Sequence, residues 1–139
     1  MDILITGAAG FIGRNLALRL TEAGHKVLGA TRDTCDADLA AMAKKAQAVV
    51  HLAGANRPDT EAEFGAINDH YTARLCALLR LRPDSVPVIA ASTIQVDRDT
   101  SYGRTKRAAE DHLRALAEET GAPVNICRLV NVFGKWCRP

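Results

Sequence analysis

Tyr102 and Lys106 are the residues in this chain best suited to moving a proton. They stand four positions apart at the start of a helical pattern, so they share one face. A free phenol has a pKa of about 10 and is a poor base at neutral pH. An ammonium beside it favours the phenolate and predicts a lowered value. Upstream, Ala91-Ser92-Thr93 closes an apolar run and offers two hydroxyls. A hydroxyl, a phenol and an ammonium together make a proton-transfer set for a carbonyl or a carbinol. Both hydroxyls, at a strand end, are well placed to touch a substrate.

The Tyr102/Lys106 spacing gains its meaning from a second group of residues near the N-terminus. Gly7-Ala8-Ala9-Gly10-Phe11-Ile12-Gly13 follows the short apolar run Ile3–Thr6 and opens a helix. Gly7 suits the tight turn out of the strand. Gly10 leaves room for a pyrophosphate, and Gly13 allows helix and strand to pack closely. The helix start then presents free N–H groups and a positive dipole end to phosphate. This predicts dinucleotide binding. After the second strand, where an acid often meets the ribose 2′-hydroxyl of NAD, the chain has Thr31-Arg32. A guanidinium there can pair with a 2′-phosphate, so NADP is expected, and Asp33 keeps NAD open. Leu52-Ala53-Gly54, after the third strand, would lie against the adenosine half of the cofactor. His51 is a candidate acid or base by type, but its apolar surroundings predict a buried structural histidine.

Alternating elements must carry these residues. Strands are predicted at Ile3–Thr6, Lys26–Thr31, Ala48–Ala53, Val86–Ser92 and Val124–Leu129. Helices are predicted after the glycine loop up to Gly24, over Asp38–Ala46, from Thr60 to Pro83, and over Tyr102–Glu119. In the third helix Thr60 and Glu63 form a predicted capping box, with Phe64, Ile67, Tyr71, Leu75 and Leu78 on one stripe. Strands joined by helical crossovers give a parallel sheet with helices on both faces. The expected fold is α/β, a doubly wound Rossmann sheet. Ligands there bind beyond the carboxyl ends of the strands, which is where every candidate residue falls.

Composition narrows the partners. The 139 residues are 47% hydrophobic and 24% charged, an ordinary globular balance for one domain. Net charge is +2 and aromatics are 4%, which speaks against nucleic-acid binding by a basic face or by base stacking. No apolar run reaches the ~20 residues of a membrane span, and the N-terminus lacks a signal-peptide pattern. Cys35, Cys76, Cys127 and Cys137 are widely spaced. That predicts reduced thiols, a cytoplasmic setting and no metal site.

Thr6–Gly13, His51-Leu52-Ala53-Gly54, Thr93, Tyr102 with Lys106, and Arg128-x-x-Asn131-Val132-Phe133-Gly134 together resemble the extended short-chain dehydrogenase/reductase family, the epimerase/dehydratase group acting on nucleotide sugars. The likeness runs along essentially the whole chain. It implies that Tyr102 is the general acid/base and that Lys106 holds the nicotinamide ribose. It further implies that Thr93, or Ser92 if the register slips by one, bonds the reacting sugar oxygen and that Asn68 is structural. Sugar 4,6-dehydratases carry an acid pair after the threonine. Ile94-Gln95 stands here instead, which disfavours dehydration. The nine-residue gap from Thr93 to Tyr102, the segment Ala55-Asn56-Arg57-Pro58 and the ending from Phe133 to Pro139 are similar to one branch. That branch comprises the capsular polysaccharide and O-antigen reductases of UDP-4-keto-hexosamines, which use NADPH and carry a C-terminal cupin domain with a metal. The resemblance thus implies that residues 1–139 are the NAD(P)-binding part of a longer enzyme, truncated on its C-terminal side. It also allows a homodimer through paired long helices. The alternatives are a 4-epimerase with tightly held NAD and a dinucleotide-binding module without catalysis.

Overall fold

The computed structural model describes residues 1–56 and 58–137. Arg57 and Arg138-Pro139, which belong to the segments of the narrower resemblance, lie outside the described residues.

The five strands are β1 (Asp2–Thr6), β2 (Lys26–Ala30), β3 (Ala48–His51), β4 (Val88–Thr93) and β5 (Val124–Leu129). All pair in parallel, in the order β2-β1-β3-β4-β5. This equals the six-strand dinucleotide order 3-2-1-4-5-6 without its outermost third strand. The chain goes from β2 straight into helix α2 (Asp36–Lys45), so β2 is an edge strand.

Right-handed crossovers fix the layers. The step from β1 to β2 runs one way and every later step runs the other. Helix α1 (Phe11–Glu22) therefore lies alone on one face. The opposite face carries α2, the long broken helix of residues 61–80 and α5 (Ser101–Thr120), packed side by side. The core fills the three-helix side: Leu4, Val49, Val88 and Ala90 from the sheet meet Leu39, Leu75, Leu113 and Leu116 from the helices. Among the described residues nothing covers the α1 side of β4 and β5, leaving Ile89 47% exposed and Cys127 exposed. No described helix is long and apolar enough to cross a membrane.

Local signals explain the element ends. Gly24 and Gly121 take the left-handed conformation that stops α1 and α5. Thr100 caps α5 by accepting the Gly103 amide at 3.0 Å.

The helix of residues 61–80 departs from the expected pattern twice. First, the capping box does not form. Thr60 makes no bond from its side chain to a helix amide; its hydroxyl donates to the Glu63 carboxylate at 3.2 Å. Second, α3 (Glu61–Phe64) and α4 (Tyr71–Arg80) are joined by a π turn, Gly65–His70. The wide turn shifts the phase of the buried stripe. Asn68, Thr72, Leu75, Cys76 and Leu79 are buried, whereas Ile67, Tyr71 and Leu78 are only partly so.

Candidate active site

The glycine loop and the loop after β3 meet at the point where the crossovers reverse. That is where a doubly wound sheet opens a crevice. Gly7 has φ +71°, and a Cβ on it would fall 2.8 Å from the Ala53 amide nitrogen. Only glycine serves here, on conformation and on space. A Cβ on Gly13 would fall 2.3 Å from the Gly7 carbonyl oxygen, so α1 rides directly on the loop. Gly10 stands at the N-cap of α1 and gives no side-chain acceptor to the first amides, and the first turn carries no acid. Those donors suit a phosphate, and the loop is a cradle that a Cβ would fill.

A buried hydrogen-bond chain fixes this crevice. Thr6 and His51 are register partners on β1 and β3. Thr72 donates to the Asn68 carbonyl at 2.6 Å, so its oxygen must accept the His51 Nε2–H at 2.9 Å. His51 Nδ1 then accepts from the Thr6 hydroxyl at 2.6 Å, and Thr6 accepts the Ala53 amide at 3.2 Å. His51 is thereby held neutral in one tautomer. Burial, with the Lys106 ammonium adding to it, lowers its pKa to about 3. It is a structural histidine, as its apolar setting predicts.

The π turn extends the same network. It aims Asn68 at the loop after β3, where its side chain pairs with both the Ala55 N–H (2.8 Å) and the Ala55 carbonyl (3.0 Å). It also reaches Thr105 on α5 at 3.2 Å. Gly54 lies against both Asn68 and the Lys106 ammonium. Leu52, Ala53 and Gly54 therefore form the floor between the glycine loop and Lys106.

The candidate proton-transfer residues lie at that floor. Thr93 ends β4 and Tyr102 and Lys106 lie in the first turns of α5. Thr93 is buried beside the Tyr102 phenol and its hydroxyl accepts the Gln95 amide at 3.2 Å, whereas Ser92 points the other way, to Glu110. Alternation along the strand thus separates the two hydroxyls. Phe64 packs at the other side of the phenol, 6.0 Å between ring centres.

One expectation fails here. Tyr102 is raised, not lowered: burial disfavours its phenolate, and the neighbouring Thr93 hydroxyl offsets this only in part. Lys106 does not lower it, and its Nζ donates to the Ala91 carbonyl at 2.8 Å. Burial pulls Lys106 itself down to about 8, against an upward pull from Glu110.

The remaining predicted residues border the same crevice. Ala8 N–H donates to the Ala30 carbonyl at 3.1 Å, which brings the end of β2 to the loop. Thr31 is half-buried beside it and Arg32 is exposed. Phe11 and Ile12 line a cleft of about 340 Å³ between α1 and the segment after β5. Gly134 lines it too, where a Cβ would fall 3.4 Å from the Phe11 ring, and Asn15 donates to the Lys135 carbonyl at 2.9 Å.

Sequence reasoning missed Glu110. The signal was an acid on the same stripe as Tyr102 and Lys106, eight and four positions on. A stripe that must be buried leaves an acid there in need of partners.

Comparison with known proteins agrees with this geometry. Residues 3–139 match the model of the NAD dependent epimerase/dehydratase family. The chain is 44% identical over its whole length to a UDP-2-acetamido-2,6-beta-L-arabino-hexul-4-ose reductase of Pseudomonas aeruginosa, and spans 38% of that protein. Among solved structures it is similar to the capsular polysaccharide assembling protein CapF of Staphylococcus aureus. The TM-score is 0.85 at 35% identity, over 100% of this chain and 37% of that one. It is also similar to MoeE5, solved with UDP-glucose and NAD, with a TM-score of 0.85 at 28% identity over 100% of this chain and 57% of that one.

Proposed function

The chain belongs to the NAD dependent epimerase/dehydratase family, and from that premise we propose that it is the dinucleotide-binding and proton-transferring part of a longer reductase. Its substrate would be a UDP-linked 4-keto sugar of capsular polysaccharide or O-antigen synthesis, with NADPH as the reductant. The observation that carries this reading is the convergence of Thr93, Tyr102 and Lys106 on the floor beside the glycine cradle.

The dihydronicotinamide would supply a hydride to the carbonyl carbon. Thr93 would donate to, or share, the carbonyl oxygen and keep it against the phenol. Tyr102 would give that oxygen its proton as the alkoxide forms. A phenol raised by burial is fully protonated at neutral pH, which suits a proton donor. Lys106 would hold the ribose hydroxyls once its amine leaves the Ala91 carbonyl. An ammonium so placed would favour the phenolate of Tyr102 and lower its pKa in the complex. Arg32 at the end of β2 would select the 2′-phosphate. NAD remains the second reading, motivated by Asp33 beside it and by the NAD bound to MoeE5.

The length ratio supports a division of labour. The chain spans about two fifths of its reductase relative, and among the described residues nothing covers the α1 side of β4–β5. The face with Ile89 and Cys127 would be covered, and the sugar chosen, by segments beyond residue 139. Assembly into a homodimer through the 61–80 and α5 helices belongs to the same proposal, as does a cytoplasmic site of action.

The test uses Tyr102→Phe. In the chain extended to the length of its relatives, NADPH oxidation with a UDP-4-keto-hexosamine should fall by about 10²- to 10⁴-fold, the usual worth of a positioned proton donor. NADPH binding, followed by its fluorescence, should be unchanged. Turnover equal to the parent's would remove Tyr102 from the chemistry.

A further inference from the structure

Glu110 is the one acid in the buried core of the described residues, 1% exposed, and the steps above make no use of it. Three elements converge on it. From β4, the Ser92 hydroxyl donates at 2.6 Å. From β5, Arg128 donates through Nε at 3.0 Å and Nη2 at 2.7 Å, as a two-pronged pair. From α5 itself, Arg114 donates at 2.6 Å. Burial disfavours the carboxylate charge, but these hydrogen bonds outweigh it and hold its pKa at about 2. Ser92 and Arg128 are register partners, directly across β4 and β5. Glu110 thus clamps the two strands one residue before Thr93, and one helical turn after Lys106.

We propose that Glu110 is a positioning residue of this site: it pins the end of β4 and strand β5 to α5 and supplies the counter-charge that keeps Lys106 an ammonium. The charged and titratable groups facing Lys106 are Tyr102 and Glu110 on α5 and His51 on β3. His51 is neutral, so Glu110 is the anion among them. Those facing Glu110 are Arg114 on α5 and Arg128 on β5, and Arg128 is shared with Asp97 at 3.8 Å. Ser92 is placed by Glu110, and its neighbour Thr93 follows. The site would lose both alignment and charge if the carboxylate were neutralised. This inference rests on the reading that Lys106 and Tyr102 act together.

The test reads Lys106 without relying on turnover. The chain has five lysines, and ¹³C-labelled amines titrated by NMR resolve them, with Lys106 identified by its loss in Lys106→Arg. Glu110→Gln should lower the Lys106 midpoint by about one unit, the scale of a single nearby counter-charge. Arg114→Gln, at a half-exposed side chain, should raise it, because it unmasks the carboxylate. Opposite shifts in the two variants support the proposal. An unchanged midpoint in Glu110→Gln, or shifts of one sign in both, overturns it. If Glu110→Gln does not fold, Arg114→Gln decides, and a midpoint that fails to rise overturns the proposal. Failure of the reductase reading looks different: the extended parent would not oxidise NADPH at all, whatever Lys106 does.

Discussion

Between pH 7 and pH 5, acid should destabilise this chain chiefly through one side chain, His51. In the folded chain its imidazole is fully enclosed between Thr6 and Thr72, with its single proton on Nε2. A second proton at Nδ1 has nowhere to go, because that nitrogen already accepts from Thr6. The folded pKa is about 3 against about 6.5 in an unfolded chain. The unfolded state therefore binds more protons between those values, and stability rises with pH across that window. It is complete above about pH 6.5 and is lost as pH falls toward 3. Linkage gives about 2 kcal/mol lost between roughly pH 7 and pH 5, and about 4 kcal/mol by roughly pH 3. Glu110, held at about 2, loses its share only as pH falls below its usual value of 4.5. Lys106, at about 8 when folded against 10.5, acts only on the alkaline side. The interval between pH 5 and pH 7 is therefore governed by His51. The assay is urea unfolding followed by circular dichroism at both pH values, for the parent and for His51→Gln. The variant is itself less stable, since Thr6 and Thr72 each lose a partner. Its loss from pH 7 to pH 5 should nonetheless be smaller than the parent's by about 2 kcal/mol. Equal losses in the two chains would refute the assignment. Nitrogen NMR should also find the Nε2–H tautomer persisting below pH 5, and a histidine that titrates near 6.5 at this position would refute it as well.

Other perturbations follow from the same contacts. Gly13→Ala puts a methyl 2.3 Å from the Gly7 carbonyl oxygen and 2.8 Å from Ala8 Cα, both backbone. The loop must open, so NADPH affinity should fall at least about tenfold, as read by calorimetry. Arg32→Ala should weaken NADPH at least about tenfold and leave NADH unchanged; equal weakening of both would argue against a 2′-phosphate contact. The Arg82 side chain is 8% exposed and donates to the Ala43 and Lys44 carbonyls at the end of α2 and to Asp84. Arg82→Ala leaves those carbonyls short of donors and should cost about 2 kcal/mol in urea unfolding without changing NADPH affinity.

Much of the site was readable from residue order because it is built of local signals. The glycine spacing, the strand-end hydroxyls and the four-residue step from Tyr102 to Lys106 each sit within one turn or one loop. Periodicity placed five strands and their helices to within a few residues, and the parallel α/β sheet follows from their alternation. What the chain could not show in one dimension was how those pieces face each other. A capping box was legible at Thr60 and Glu63, yet the two side chains bond each other instead. A regular stripe was legible through Ile67 and Tyr71, yet a π turn inserts one extra residue and rotates Asn68 into the crevice. That turn leaves no periodic signature, because it is held by Ala55 and Thr105, 13 residues before Asn68 and 37 after it. The choice between Ser92 and Thr93 was likewise open until β4 acquired neighbours on both sides. Strand alternation then sent one hydroxyl to Glu110 and the other to Tyr102. Burial decided the charges. The sequence placed an ammonium near a phenol and so predicted a lowered phenol, but the packed site turns Lys106 to the Ala91 carbonyl and desolvates Tyr102. Residue types and spacing thus determined which groups are present and on which loops. Only the tertiary structure decided their protonation and aim, because desolvation and hydrogen-bond partners come from segments far apart in the chain.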